Sequence, residues 1–234
     1  MRTRPETTLF LMSSIDGKIS TGDTDFLDFD KDFPAIHGIR EGLDQYYAIE
    51  QKTDLASLNS GRTWAKIGLN EPAVAIKRLP VTFVVIDNKP HLNETGVLNA
   101  LARGERLILV TSNAGHPAYS IGSDNRLELI YYPEEIDFPD LFMRLRHVYG
   151  VEYLTIQTGG TLNALLLRSD LIDHLNLVVA PCLIGGSTTP TLIDGEALHS
   201  LEDLVLIRPA KLVKCEVLHH SFICLKYDLD WQGD

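Results

Sequence analysis

The chain predicts an α/β protein: a mixed, mostly parallel sheet of about eight strands between layers of helices, with an antiparallel hairpin at its C-terminal end. Three observations carry this. Short aliphatic and β-branched runs alternate with helical stretches through the middle of the 234 residues, the pattern of right-handed βαβ crossovers. After Pro181 no strong amphipathic helix follows, and the last two runs are joined only by a short connection through His219 and His220, as in a hairpin. Polar segments, some with glycines, follow several of the runs, where an open α/β sheet binds its ligands.

Taken in order, the runs at 7–12, 81–86, 107–111, 127–131, 153–157, 175–180, 211–218 and 222–228 read as strands by alternation and residue type. Helices are expected over 34–51, 62–67, 94–103, 138–149 and 161–169. Residues 22–34, rich in Asp and Phe, form a loop placed to lie over a pocket. No internal repeat, low-complexity tract or Pro/Gly/Ser-rich linker divides the sequence, so one domain over 1–234 is expected.

A hydrophobic share of 44% with 23% charged residues supplies one substantial core. Lys+Arg number 21 and Asp+Glu 32, so the net charge is 21 − 32 = −11, which repels nucleic-acid phosphates and anionic membranes at long range. A small anionic ligand needs only a local pocket of N–H groups and remains open. The run from Leu9 to Met12 is far too short for a signal-peptide core, and no apolar stretch approaches a membrane span. The chain therefore reads as cytoplasmic. Cys182, Cys215 and Cys224 have no metal-ligand spacing, and the eight histidines no H-E-x-x-H, so no metal is expected. Cys215 and Cys224 flank His219-His220 symmetrically, and a tight hairpin would set them opposite each other. In a reducing compartment, however, strand thiols are usually small buried apolar groups.

Five polar segments stand out, four of them directly after strands and one leading into a helix. Ser13-Ser14-Ile15-Asp16-Gly17-Lys18 offers hydroxyls, a carboxylate and an ammonium at a strand end, or is an ordinary Asp-Gly turn with a solvated lysine. Thr158-Gly159-Gly160-Thr161 is either a diphosphate cradle at a helix start or simply a turn. In Asn59-Ser60-Gly61-Arg62-Thr63-Trp64, Arg62 could meet a phosphate, yet Ser60 as helix cap and Trp64 in the core is the simpler reading. Asp87-Asn88-Lys89 and Thr111-Ser112-Asn113 read as solvated loops, although on the same rim Lys89 could recognise a ribose 2′-phosphate.

Together with Leu171-Ile172-Asp173-His174-Leu175 and Ala180-Pro181-Cys182-Leu183-Ile184-Gly185-Gly186, these segments match in order and spacing those of the RibD C-terminal family, which the chain resembles over nearly its whole length. The resemblance implies a dihydrofolate-reductase-like α/β/α fold and an NADPH-dependent reductase similar to the pyrimidine reductase of riboflavin biosynthesis. A same-fold reductase of another heterocycle such as a pterin, or a nucleotide-binding protein without turnover, is the alternative. The resemblance further implies cofactor contacts at Thr63, Val110, Thr111, Ser112, Gly159, Gly160, Thr161 and Leu162, and Gly61, Arg62, Asn88 and Lys89 are expected to join them from their place on the same rim. Catalytic roles fall to Asp16 and Lys18, and substrate contacts to Ser14, Lys18 and Thr158. A homodimer through the sheet edge and C-terminal segment is implied as well. The zinc-deaminase signature H-x-E with P-C-x-x-C does not occur, so a stand-alone reductase-type domain is expected. Where the riboflavin enzymes usually carry a glutamate before the first Gly-Gly this chain has Thr158, and where they carry an aspartate four residues after Thr63 it has Ile67. Each lost charged hydrogen bond is worth roughly 1.5–3 kcal/mol, enough to alter which polar ligand is accepted.

Overall fold

The computed structural model describes residues 2–73 and 76–229. In chain order its elements are β1 (Glu6–Ser14), α1 (Phe29–Asp32), α2 (Leu43–Glu50), β2 (Ala56–Ser60), α3 (Gly61–Lys66), β3 (Thr82–Ile86), α4 (Glu94–Arg103), β4 (Arg106–Thr111), β5 (Leu127–Tyr131), α5 (Phe138–His147), β6 (Tyr153–Gln157), α6 (Gly160–Arg168), β7 (His174–Ala180), β8 (Lys211–Val217) and β9 (Ile223–Asp228). The strands number nine among the described residues and are mostly parallel, ending in the antiparallel β8–β9 hairpin. The strand missed in the sequence is β2. Its Ala-Ser-Leu-Asn-Ser has no β-branched or aromatic residue to mark it, although all but its last residue are buried.

By compactness the chain divides into two units, one of Met1–Pro5 with Asp54–Thr158 and one of Glu6–Thr53 with Gly159–Asp234. In the first, five parallel strands run in the order β5-β4-β3-β2-β6. From β2 the chain builds outward through β3, β4 and β5, then returns to place β6 on the other side of β2. This reversal makes a topological switch point at the carboxyl ends of β2 and β6. The core of this unit packs Trp64 edge-on to Phe83, with Val97, Leu101, Leu107 and Leu109 around them. Both faces of β4 are covered, and accordingly Leu107, Ile108, Leu109 and Val110 are all fully buried.

In the second unit β1 pairs parallel with β7, β7 antiparallel with β9, and β9 antiparallel with β8. Phe10, Met12, Phe29, Phe33, Tyr46, Val178 and Phe222 form its core. The helix expected over 34–51 is instead two single 3₁₀ turns, Phe33–Ala35 and Arg40–Gly42, followed by α2. The first turn ends at Ile36, whose backbone is extended, and Gly38 beyond it takes φ 89°. Gly42 lies so close to Phe222 that a Cβ there would come within 2.6 Å of the ring. The expected loop at 22–34 likewise contains α1, capped by Asp28. In the hairpin, Glu216 faces Cys224 and Cys215 faces Leu225. That one-residue offset from symmetry sends the two thiols to opposite faces, and all three cysteines are free.

Candidate functional site

The loop after β1 is a tight turn held by its own hydrogen bonds. Gly17 takes φ 77°, a conformation favouring glycine, and its N–H donates to the Ser14 carbonyl at 3.0 Å. The Ser14 hydroxyl accepts from the Lys18 N–H at 2.9 Å and donates to Asp16 Oδ1 at 2.5 Å. Residues on either side join a second loop: Ile15 N–H donates to Cys182, Ile19 N–H to Pro190, and Leu192 N–H to Gly17. The turn reading of this segment is thus right about the backbone, but its lysine is not solvated. Lys18 is 9% exposed, and its Nζ donates to the carbonyls of Gly186 at 2.7 Å and Thr189 at 3.0 Å. Two of the ammonium's three protons are used, which leaves one for an acceptor.

Asp16 is exposed, yet its oxygens are committed. Besides Ser14 they accept the N–H of Gly185 at 2.6 Å and of Ile184 at 3.1 Å. Led by the Ser14 bond and then the Gly185 N–H, these contacts hold its carboxyl at about 2, against an upward pull from desolvation.

The start of α6 lies in the same unit. Gly159 is its N-cap, and no side chain caps it. Nothing stands within 4 Å of where a Gly159 Cβ would be, so this position is open. Gly160 is closed by the protein itself, because a Cβ there would meet the Thr191 carbonyl at 2.2 Å and Asp194 Oδ2 at 2.3 Å. Asp194 is fixed by the N–H of Thr191 at 3.0 Å and its hydroxyl at 2.6 Å, and donates its own N–H to the Gly160 carbonyl at 3.0 Å. Thr161 is exposed, Leu162 half-buried. The two glycines therefore differ: Gly159 faces open space, and Gly160 makes room for the 191–194 loop.

In the first unit the strand ends carry their own cluster. Ser60 caps α3 by accepting from Thr63 N–H at 3.2 Å, and Trp64 is buried, as the simpler reading had it. Gly61 is required by packing, since a Cβ would lie 2.3 Å from the Asp87 carboxyl carbon. Asp87 is 1% exposed and accepts from His116 Nε2 at 3.0 Å, His91 Nδ1 at 2.9 Å, Leu92 N–H at 3.0 Å and His91 N–H at 3.1 Å. His116 Nδ1 accepts the Ala118 N–H at 3.0 Å, which places a proton on Nε2, directed at Asp87. Burial pulls the Asp87 carboxyl upward, but the bonds from His116, Leu92 and His91 outweigh it and hold it below the usual range. Val110 and Thr111 are fully buried, the Thr111 hydroxyl donating to the Asp87 carbonyl at 2.8 Å. Ser112 is half-buried, and its N–H donates to Asn88 Oδ1 at 3.0 Å. Arg62, Asn88 and Lys89 are exposed; Thr158 is buried.

The sequence reading missed Thr189, Asp194 and the pairing of His91 and His116 with Asp87. Gly185-Gly186 and Asp194-Gly195 were the available signals, marking left-handed turns at φ 74°, 82° and 101°. Ile67, which stands in place of a family carboxylate, packs against the first unit's core. A surface groove of about 830 Å³ lined by Ile121, Asp124, Arg126 and Leu127 lies at the amino end of β5.

A model of the RibD C-terminal domain matches residues 5–223. The chain belongs to the RibD C-terminal domain family. It is 28% identical over 207 residues to the 2,5-diamino-6-ribosylamino-4(3H)-pyrimidinone 5′-phosphate reductase of Methanothermobacter thermautotrophicus, covering 86% of this chain and 89% of that one. A reductase of the same name from Archaeoglobus fulgidus is 33% identical over 116 residues, 49% of this chain and 51% of its own. Membership makes the chain a reductase of the riboflavin-pathway type. Among solved structures, Acinetobacter baumannii RibD superposes with a TM-score of 0.67 at 16% identity, covering 98% of this chain and 59% of that longer one. The Saccharomyces cerevisiae riboflavin biosynthesis reductase Rib7 gives 0.62 at 14%, covering 98% and 91%. These likenesses speak for the fold alone, the dihydrofolate-reductase-like one that the sequence implied.

Proposed function

We propose that the chain, 1–234 acting as one reductase domain, uses NADPH to reduce a phosphorylated ribosylamino-pyrimidinone, opening its sugar to the ribitylamino form. The observation that carries this reading is Lys18, an ammonium buried at the carboxyl end of β1 and held by two carbonyls with one proton to spare. A fixed cation of that kind polarises an electronegative substrate atom as charge develops on it, without the cost of reorganising solvent.

The residues present suit a nicotinamide dinucleotide. Gly159 leaves open the space a Cβ would fill beside the uncapped start of α6, where backbone N–H groups favour a phosphate. The backbone of 159–162 would hold the diphosphate in the second unit. When bound, the cofactor supplies the hydride. Ser14 and Asp16 shape the turn that carries Lys18, and Thr158, buried before the glycines, is the candidate substrate contact there.

The proposal extends to a homodimer in the cytoplasm. Strand β8 is exposed along its whole length, with Leu212, Val213 and Val217 open, and an apolar edge of this kind is suited to pairing with a second copy. Among the described residues no helix is long and apolar enough to cross a membrane. The net charge of −11 supports a small-molecule partner over nucleic acid.

Absorbance of NADPH, followed on adding the pyrimidinone phosphate, tests the reading. Oxidation with wild type and its loss by about 10²-fold in kcat for Lys18→Ala, with nucleotide affinity nearly unchanged, is the expected result. Binding of NADPH without oxidation would mark a binding protein or a different substrate.

A further inference from the structure

We infer that Asp16 is a positioning residue rather than a proton donor: its carboxylate clamps the 184–186 turn and, through the Gly186 carbonyl, fixes where the Lys18 ammonium sits. Its effect on turnover rests on the reductase reading, while the clamp itself is open to measurement without turnover.

The chain of contacts is continuous and lies wholly within one unit. Asp16 accepts from Gly185 N–H at 2.6 Å and Ile184 N–H at 3.1 Å. The next residue, Gly186, offers its carbonyl to Lys18 Nζ at 2.7 Å, and Thr189 adds a second at 3.0 Å. Gly185 and Gly186 both take left-handed φ, 74° and 82°, so the turn can adopt this shape only as glycine-bearing backbone held from outside. At the other end Ser14 joins the two functions, donating to Asp16 at 2.5 Å and accepting from Lys18 N–H at 2.9 Å. A carboxylate whose two oxygens are shared among a hydroxyl and two N–H donors is poorly placed to give or take a proton. Its ionised state, kept down to about 2 by the same bonds, makes it a permanent anchor through the neutral range. A lysine has four rotatable bonds, and an ammonium is held in one place only when its acceptors are held. Those acceptors are carbonyls of a turn whose own restraint includes Asp16.

Two positions can break the clamp independently. Asp16→Ala removes it from the β1 side, and Gly186→Ala removes it from the other, because a Cβ there combines a left-handed φ with a 2.4 Å approach to Thr189 Oγ1. Competitive acetylation of lysines, read by peptide mass spectrometry with exposed Lys89 as the internal reference, reports on Lys18 directly. In wild type Lys18 reacts about tenfold or more slowly than Lys89, and both variants raise that ratio by about tenfold while Lys89 is unchanged. Unchanged protection of Lys18 in folded Asp16→Ala or Gly186→Ala overturns the clamp. In turnover, Asp16→Ala and Asp16→Asn lower kcat with the nucleotide KM held, keep the shape of the pH–rate profile, and add nothing to the loss in Lys18→Ala when the two are combined. Loss of a limb of the pH profile in Asp16→Asn, or multiplying losses in the double variant, assigns Asp16 a proton-transfer or separate role and sinks the inference. A wild type without turnover defeats the reductase reading alone and leaves the labelling result to decide the clamp.

Discussion

Replacing Gly160 by alanine sets a methyl carbon 2.2 Å from the Thr191 carbonyl oxygen and 2.3 Å from Asp194 Oδ2. Neither neighbour is a floppy side-chain end: one is backbone, and the other is pinned by the Thr191 N–H and hydroxyl. To restore an ordinary contact near 3.4 Å the 191–194 loop must retreat by more than an ångström. That retreat stretches the Asp194 N–H bond to the Gly160 carbonyl and the Asn163 bond to the Leu192 carbonyl, 3.0 and 2.9 Å in the native fold. Overpacking costs about 1–3 kcal/mol and each weakened bond about 0.5–1.5, so a loss of about 2–4 kcal/mol is expected. Gly159→Ala is the control. Its φ of −81° and ψ of 161° suit alanine and nothing lies within 4 Å, so stability stays level or rises by up to about 1 kcal/mol. Urea unfolding followed by circular dichroism measures both. NADPH titration of the same proteins should show Gly159→Ala weakened about tenfold, its new methyl occupying the space assigned to the nucleotide. A Gly160→Ala protein within about 0.5 kcal/mol of wild type would refute the division of labour between the two glycines.

Asp87→Ala strands His116 Nε2 and the Leu92 N–H inside the first unit and should cost about 3 kcal/mol or more, read by the same urea unfolding. Because the folded carboxyl is depressed, its contribution is present above the unfolded value near 3.9 and is lost as pH falls through the folded one, so acid unfolding should shift upward in this variant. His174 bridges Glu6 at 3.0 Å and Asp228 at 2.7 Å. Burial lowers its pKa, but the Asp228 and Glu6 bonds outweigh that and leave it raised. Its stabilisation is full below about 6.5 and fades as pH rises through the folded value, and His174→Gln should flatten that slope in thermal melts taken across pH 6–9. With thiol reagent, exposed Cys215 should react in the native protein and Cys224 only on unfolding.

Much of the fold was legible because buried parallel strands announce themselves: β4 carries the unbroken apolar run Leu107–Val110, β6 is rich in aromatic and β-branched residues, and α4 was readable from its Asn93 cap to its Gly104 stop. Strand β2 was not, because its small polar residues are buried by context and not by preference. The 34–51 segment looked helical by composition, yet its backbone turns at Gly38 with φ 89°, and the approach of Phe222 to Gly42 is a tertiary constraint that no local pattern displays. At the site, strand-end position picked out Lys18 and Gly159, since both are local features. The contacts that define them come from residues some 30 to 170 positions away, as with Thr189 on Lys18 and Asp194 on Gly160. A buried Asp87 between His91 and His116 was hidden for the same reason.

The reductase account stands or falls most directly on single-turnover mixing of the purified protein and NADPH with 2,5-diamino-6-ribosylamino-4(3H)-pyrimidinone 5′-phosphate, followed at the nicotinamide absorbance. Stoichiometric oxidation with formation of the ribitylamino product, lost in Lys18→Ala, is the predicted result. NADPH that stays reduced under saturating substrate would contradict it.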